Sequence, residues 1–277
     1  MTVIAAATPG PGPADPAPNI RPVRPHTAWK GWLTLVVVLT ITGWTGFAVG
    51  VNLPGLIRNA GNGFTNLIAL TQPQYDFFVT TLPALAQTGQ MAVIATAVAS
   101  VIGLPISFLA SRATNPNRPL LLAVRAVMNV IRAVPDLLYA AVLVSVVGVG
   151  ALSGTLALAL FNLAIVVKLV SEALDGVDLG GQEAALAGGA TLTQADRAAV
   201  LPEILPTFAS QVLYTFELNI RASTVIGLVG AGGLGLLIDR VRTFYHYHEL
   251  SLIILEILVV VLLLEWLSSW LRRRLTG

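Results

Sequence analysis

Glu217 and Arg221 stand four residues apart in TFELNIRASTVIGLVGAGGLG, with Asn219 between them and Ser223 and Thr224 just beyond. Charges inside a membrane are costly unless they pair or face a polar cavity, and Glu ahead of Arg at i,i+4 is the favourable order for a helical ion pair. Two readings follow: a pair that fixes the rotation of its helix, or a guanidinium that borders the path of an anion. The same stretch ends in Gly230-Ala231-Gly232-Gly233-Leu234-Gly235, which formally satisfies G-x-G-x-x-G. A dinucleotide fingerprint requires a preceding strand and a crossover helix in a soluble unit, whereas a membrane span leads in here. Gly230, Gly232 and Gly233 are therefore read as a hinge or gate. His246 and His248 form an H-x-H pair with one adjacent carboxylate, Glu249. Their alternation with Tyr245 and Tyr247 reads as an interfacial aromatic belt rather than a metal site. No catalytic residue and no metal ligand is assigned.

The elements that must position these groups follow from composition. The chain has 277 residues, 55% hydrophobic and 11% charged, where soluble domains carry about a quarter charged residues. With a mean hydropathy of +0.79, the expected class is an all-α polytopic membrane protein. There is no cysteine, which excludes disulfides, thiol catalysis and thiolate metal sites. Residues 1–30, rich in Pro and Ala, are expected to form a disordered cytoplasmic tail, and 31–277 the membrane domain. Against the roughly 20 residues needed to cross a bilayer, six runs qualify: Trp32 to Val51, Thr88 to Ala110, Pro135 to Val149, Thr155 to Leu174, Pro206 to Val229 and Leu250 to Trp270. The third is short, and an earlier start near Leu120 is the alternative.

Six spans put the basic tail, Arg112, Arg118, Arg125, Arg132, Arg197 and the Arg272-Arg273-Arg274 run on one side, which the positive-inside rule makes the cytoplasm. Both termini are then cytoplasmic and the chain is a multi-pass protein of the cell inner membrane. The polar segment between the first two spans is expected to lie along the outer surface as short interfacial helices. Glu256 and Glu265 in the last span point to opposite faces, each toward another span or subunit.

One long polar stretch remains, EAALAGGATLTQADRAAVLPEILP, from Glu183 to Pro206. The spacing predicts a helix over 179–187, a break at Gly188 and Gly189, and a second helix over 193–200 that Leu201 and Pro202 end. Two short helices joined by a glycine turn make an L-shaped element suited to a groove on another protein. The pattern Glu183-Ala184-Ala185, three residues, Gly189, nine residues, Ala199, one residue, Leu201-Pro202 closely resembles the EAA loop of ABC importer permeases, with Ala199 where the family usually has Ile. TFELNIRASTVIGLVGAGGLG and IRAVPDLLYA resemble segments of phosphonate-type permeases, and methionine-type permeases share parts of both.

The resemblance implies a type I ABC importer permease fold of about six transmembrane helices. Residues 179–202 would be the coupling loop, with Glu183, Ala184, Ala185, Gly189, Leu201 and Pro202 engaging the ATPase. It also implies a permease homodimer, two cytoplasmic ATPase subunits that bind the ATP and Mg, and an external phosphonate- or phosphate-binding protein. The lipid bilayer is the remaining contact, and no nucleic acid is expected. The chain carries no Walker A motif and no cofactor of its own. An intramembrane enzyme or a passive channel is the alternative from another class. Ser153-Gly154 sits near a span end, but no histidine lies within a span and no H-E-x-x-H occurs.

Overall fold

The computed structural model describes residues 28–276, so the expected tail lies outside the described residues except for Ala28 to Lys30, which already open a helix. The described chain divides into two units, one ending at Ala60 and one beginning at Gly61. In the first, helix α1 (Ala28–Ala48) is apolar all round. Three of its threonines turn inward onto their own helix: Thr34, Thr40 and Thr45 each donate to the carbonyl four residues back. Helix α2 (Leu53–Ala69) starts where Asn52 Oδ1 accepts from the Gly55 N–H at 2.9 Å. Leu56, Phe64 and Leu67 recur along one exposed face of α2, the amphipathic pattern expected between the first two spans.

The second unit is built on α3 (Phe78–Ala110), α4 (Arg118–Ala133), α5 (Asp136–Val147), α6 (Ala151–Leu174), α9 (Leu201–Ile226) and α11 (Tyr247–Thr276), with the short helices α7 (Gly180–Ala187), α8 (Leu192–Ala195) and α10 (Gly233–Thr243) between them. Helices α3 and α6 form its most extensive pair, and α9 lies against both. Small residues make that approach possible: Ala92, Ala95, Ala99 and Gly103 of α3, and Gly154, Ala157 and Ala164 of α6, are all buried. Without a hydrophobic driving force between helices in lipid, small faces that let backbones approach are what hold such pairs together.

Five helices among the described residues are long and apolar enough to cross a membrane, and a sixth span results if α4 and α5 count as one. Three expected boundaries are corrected. The second span begins at Phe78, after a 3₁₀ turn at Tyr75–Phe77, and runs on through Pro83, which lies inside the helix. The third span is not a straight helix from Pro135 or from Leu120: α4 and α5 meet at 84°. Pro135 forces the residue before it out of the helical region, and Val134 is extended at φ −84°, ψ 126°. At 12 residues, α5 is only about 18 Å long at 1.5 Å per residue, too short to cross alone.

The third correction concerns Leu201 and Pro202, which do not end a helix. Asp196–Val200 form a π turn in which the Leu201 N–H reaches back to Asp196 O, and α9 continues from there. The widened turn seats Pro202 in the first turn of α9, where a missing N–H is tolerated.

At the far end, His246 Nδ1 lies 3.3 Å from Glu249 and His248 Nδ1 lies 2.9 Å from Gln72 O, so the two imidazoles serve different local contacts. Ser153 is buried and donates to Gly150 O at 2.7 Å, engaged with backbone rather than with a base. Glu256 accepts from Thr81 Oγ1 at 2.6 Å, the contact to another span expected of it.

Candidate functional site: a surface elbow and a glycine turn

The EAA-like stretch folds as two arms. Helix α7 closes at Gly188, and Gly189 takes φ +89°, the left-handed region that favours glycine. Thr191 then opens α8 with a reciprocal capping box, its own N–H donating to Gln194 Oε1 at 2.9 Å. The arms are tied together by buried Gln182, whose Nε2 donates to Asp196 Oδ1 at 2.5 Å. Ala199 faces α7 at Gly181, where an added methyl would come within 3.2 Å of its Cβ. The departure from Ile at 199 thus sits in the elbow's interior, facing a glycine.

Beneath the elbow, Val200 and Ile204 pack with Val166, Val170 and Leu174 of α6 in one buried cluster. On the outer surface Glu183, Ala184, Leu186 and Ala187 are exposed and Ala185 half-buried. Helix α7 is thus fixed from below and bare above. Of the six residues expected to act here, Glu183, Ala184 and Ala185 share α7 and Gly189 makes the turn. Leu201 and Pro202 instead form the root from which α9 rises.

Just before α7, the Asp175 carboxylate gathers the ends of α3 and α6 and the middle of α4. It accepts from Ser111 Oγ and from the Arg112 N–H, both at 2.7 Å, and from Arg125 Nη2 at 2.7 Å, while Arg125 Nε donates to Ala110 O at 2.6 Å. Burial disfavours the charge on Asp175, but the bonds from Ser111 and Arg125, with the Arg112 N–H and the guanidinium charge, outweigh it and hold the carboxyl below its ordinary value. A depressed folded value means that this stabilisation is present above the unfolded value and is lost as pH falls through the lower folded one. The stability difference between the wild type and Asp175→Asn, followed by thermal unfolding in detergent, is therefore expected to be full at neutral pH and to shrink under acid.

The polar groups of α9 fall into two sets that sequence reading had joined. Glu217 pairs with Arg221, and Arg272 of α11 reaches its other oxygen at 3.5 Å. The Glu217 side chain is 6% exposed while that of Arg221 is 53% exposed. Glu217 and Arg272 line an open groove of about 520 Å³ between α9 and α11, together with Tyr214, Glu265 and Arg273. Asn219 is buried on another face, donating to Thr96 Oγ1 at 2.7 Å and accepting from Asn162 Nδ2. Ser223 and Thr224 donate to carbonyls of their own helix, Ile220 and Arg221.

Thr96, Asn162 and Arg272 were missed from sequence. Asn162 is an amide inside an apolar run, which is a signal on its own, whereas the reach of Arg272 across 55 residues leaves no local trace. Because Glu217 is the buried member and serves two guanidiniums, Glu217→Gln is expected to lower thermal stability by about 1–3 kcal/mol. Arg221→Gln leaves that buried carboxylate with Arg272 alone at 3.5 Å and should cost at least as much, a ranking that paired melting curves would check.

The glycine turn joins α9 to α10. Gly230, Gly232 and Gly233 all have positive φ, from +66° to +89°, and two neighbours hold the turn. The Gly150 N–H donates to Gly230 O at 2.9 Å, and Gln87 and Thr88 of α3 accept from the Gly233 and Leu234 N–H groups at 2.7 and 2.8 Å. The free N–H groups that open α10 are thus capped by side chains of another helix. No strand is present among the described residues, so the dinucleotide reading of this stretch has no support. The glycines are required by backbone angle and close approach.

Known proteins with similar sequences place this architecture. The phosphate-import permease protein PhnE of Mycolicibacterium smegmatis is 38% identical over 76% of this chain, which spans only 40% of that relative's length. The phosphite transport system permease protein PtxC of Stutzerimonas stutzeri is 39% identical over 76% of this chain and 78% of its own. Among solved structures, an inward-facing form of the MetNI methionine ABC transporter matches with a TM-score of 0.66 at 24% identity, over 74% of this chain and all of that one, a likeness of fold. A family model described as the binding-protein-dependent transport system inner membrane component matches residues 103–277, which include the elbow, the glycine turn and the α9 polar groups. The chain is a membrane-spanning transport component and belongs to the family of binding-protein-dependent transport system inner membrane components.

Proposed function

We propose that this chain is the permease subunit of an ATP-driven importer that carries a phosphorus oxyanion, of the phosphonate, phosphite or phosphate class, into the cytoplasm. The observation that carries the reading is the elbow: a capped, glycine-jointed pair of helices, packed rigidly on α6 and exposing Glu183, Ala184 and Leu186. Relatives named for phosphate import and phosphite transport give the substrate class. The elbow docks on a separate ATPase subunit, which binds the ATP and Mg. An external binding protein delivers the anion. Two copies of the permease enclose the path, both termini are cytoplasmic, and the glycine turn at Gly230–Gly233 is the outer gate. ATP binding drives the switch only through a difference in its affinity for the two states.

Arg221 offers forked donors that match phosphoryl oxygens in a way Lys does not, and it is the exposed member of its pair. Its role beside the anion's path belongs to this proposal.

Proteoliposomes containing the permease and its ATPase, with the binding protein outside, test the reading. ATP-dependent uptake of radiolabelled phosphite, methylphosphonate or inorganic phosphate is expected. Uptake of methionine in place of all three would replace the substrate class, and uptake without ATP would make the chain a passive channel.

A further inference from the structure

Resting on that importer reading, we propose that α4 and α5 form a rigid bent lever whose α4 arm is fastened midway, through Arg125 and Asp175, to the end of α6 that carries the elbow. Its α5 arm carries the glycine turn, which makes Arg125, Asp175 and Tyr139 positioning residues for transport. The near fastening is the Asp175 knot. Asp175 follows the last residue of α6 and lies five residues before α7 opens at Gly180. Its carboxylate fastens α6 to the end of α3 through Ser111 and Arg112, and to α4 through Arg125. A displacement of the elbow, which is packed on the same end of α6, therefore cannot leave α4 behind without breaking an ion pair.

The 84° corner between α4 and α5 would absorb such a displacement if it were loose, but it is braced. The Tyr139 hydroxyl on α5 donates to Ile131 O in the last turn of α4 at 2.8 Å. Beyond the corner, Ala140 is completely buried in a cluster with Ala231 and Ile226, with Val144 packed against it. A methyl added at Gly230 would meet Val149 at 3.3 Å, and the Gly150 N–H bonds Gly230 O at 2.9 Å. Hydrogen bonds and buried packing thus run unbroken from the elbow's root to the turn. The depressed titration of Asp175 keeps the near fastening charged at neutral pH.

The test uses a single cysteine at Val229 in the otherwise cysteine-free permease, assembled with its ATPase and reconstituted. Labelling by a water-soluble thiol reagent is compared with and without trapped ATP, alongside ATPase activity and phosphite uptake. The parent is expected to label differently in the two states. Asp175→Asn and Arg125→Gln should each reduce that difference and the uptake about tenfold, within the range for residues that modulate coupling, while ATP hydrolysis continues. Arg125→Lys keeps the charge and should recover much of the coupling, and Tyr139→Phe should give an intermediate loss.

If Asp175→Asn and Arg125→Gln keep the labelling difference and full uptake per ATP, the lever is wrong. It is also wrong if hydrolysis and uptake fall together with the amount of assembled complex, which would make the knot structural only. A parent complex that takes up none of the three phosphorus anions on ATP overturns the importer reading and the lever with it.

Discussion

Replacing Gly189 by valine is expected to leave the permease inserted and assembled while separating ATP hydrolysis from transport. The cause is backbone angle alone: nothing lies within 4 Å of a Cβ built at Gly189, but its φ is +89°. A left-handed conformation costs an L-residue about 1–2 kcal/mol, and a β-branched one is the least tolerant. The chain avoids that cost by reopening the turn, which re-aims α7 relative to α8 and moves Glu183 and Leu186 out of register with their partner. Asparagine tolerates the left-handed region, so Gly189→Asn should keep most of the coupling. Uptake per ATP hydrolysed in proteoliposomes is the measurement, and equal ratios for the valine variant and the wild type would remove Gly189 from the mechanism.

A larger loss is expected from a single methyl at Gly235. There the end of α9 and the start of α10 touch backbone to backbone: a Cβ would overlap Thr224 O and stand 2.6 Å from the Gly227 Cα. Neither obstacle is the free end of a side chain, so relief requires moving a helix. Overpacking of this kind costs about 1–3 kcal/mol or more, and here it acts where Gln87 and Thr88 hold the turn. Gly235→Ala should therefore lose both thermal stability in detergent and uptake. Gly89→Ala on α3, with nothing within 4 Å of the added methyl, is the control, and should melt no lower than the wild type. A Gly235→Ala variant that melts with the wild type would show that the close approach at Gly227 does not constrain the turn.

The parts of this architecture written in local pattern were readable before the structure. Apolar runs and the Gly188-Gly189 break each depend on a few neighbouring residues. The i,i+4 pair of Glu217 and Arg221 was legible for the same reason. Two of the three corrected boundaries show what was not. Pro202 looks like a stop signal, and only the π turn at Asp196–Val200, which no composition announces, seats its ring in the first turn of α9. Likewise the earlier start considered for the third span runs across Val134-Pro135, where the structure turns a corner held by a hydroxyl on Tyr139. The contacts that organise the site are long-range: Asn219 with Thr96 is separated by 123 residues and Asp175 with Ser111 by 64. Such pairs are set by how the helices pack and leave no spacing rule in the chain.

Attachment of a separate ATPase at the elbow, residues 179–202, can be probed by cross-linking from its exposed face. Leu186 is 39% exposed at that face, and the chain has no cysteine of its own, so Leu186→Cys provides one thiol. After co-expression with its ATPase subunit, a short heterobifunctional reagent that joins a thiol to a lysine amine should link Leu186→Cys to the ATPase. A cysteine at Val101, 75% exposed on α3, should not be joined. Cross-linking from Val101 but not from Leu186, or none from Leu186 in a complex that hydrolyses ATP and transports, would contradict the account.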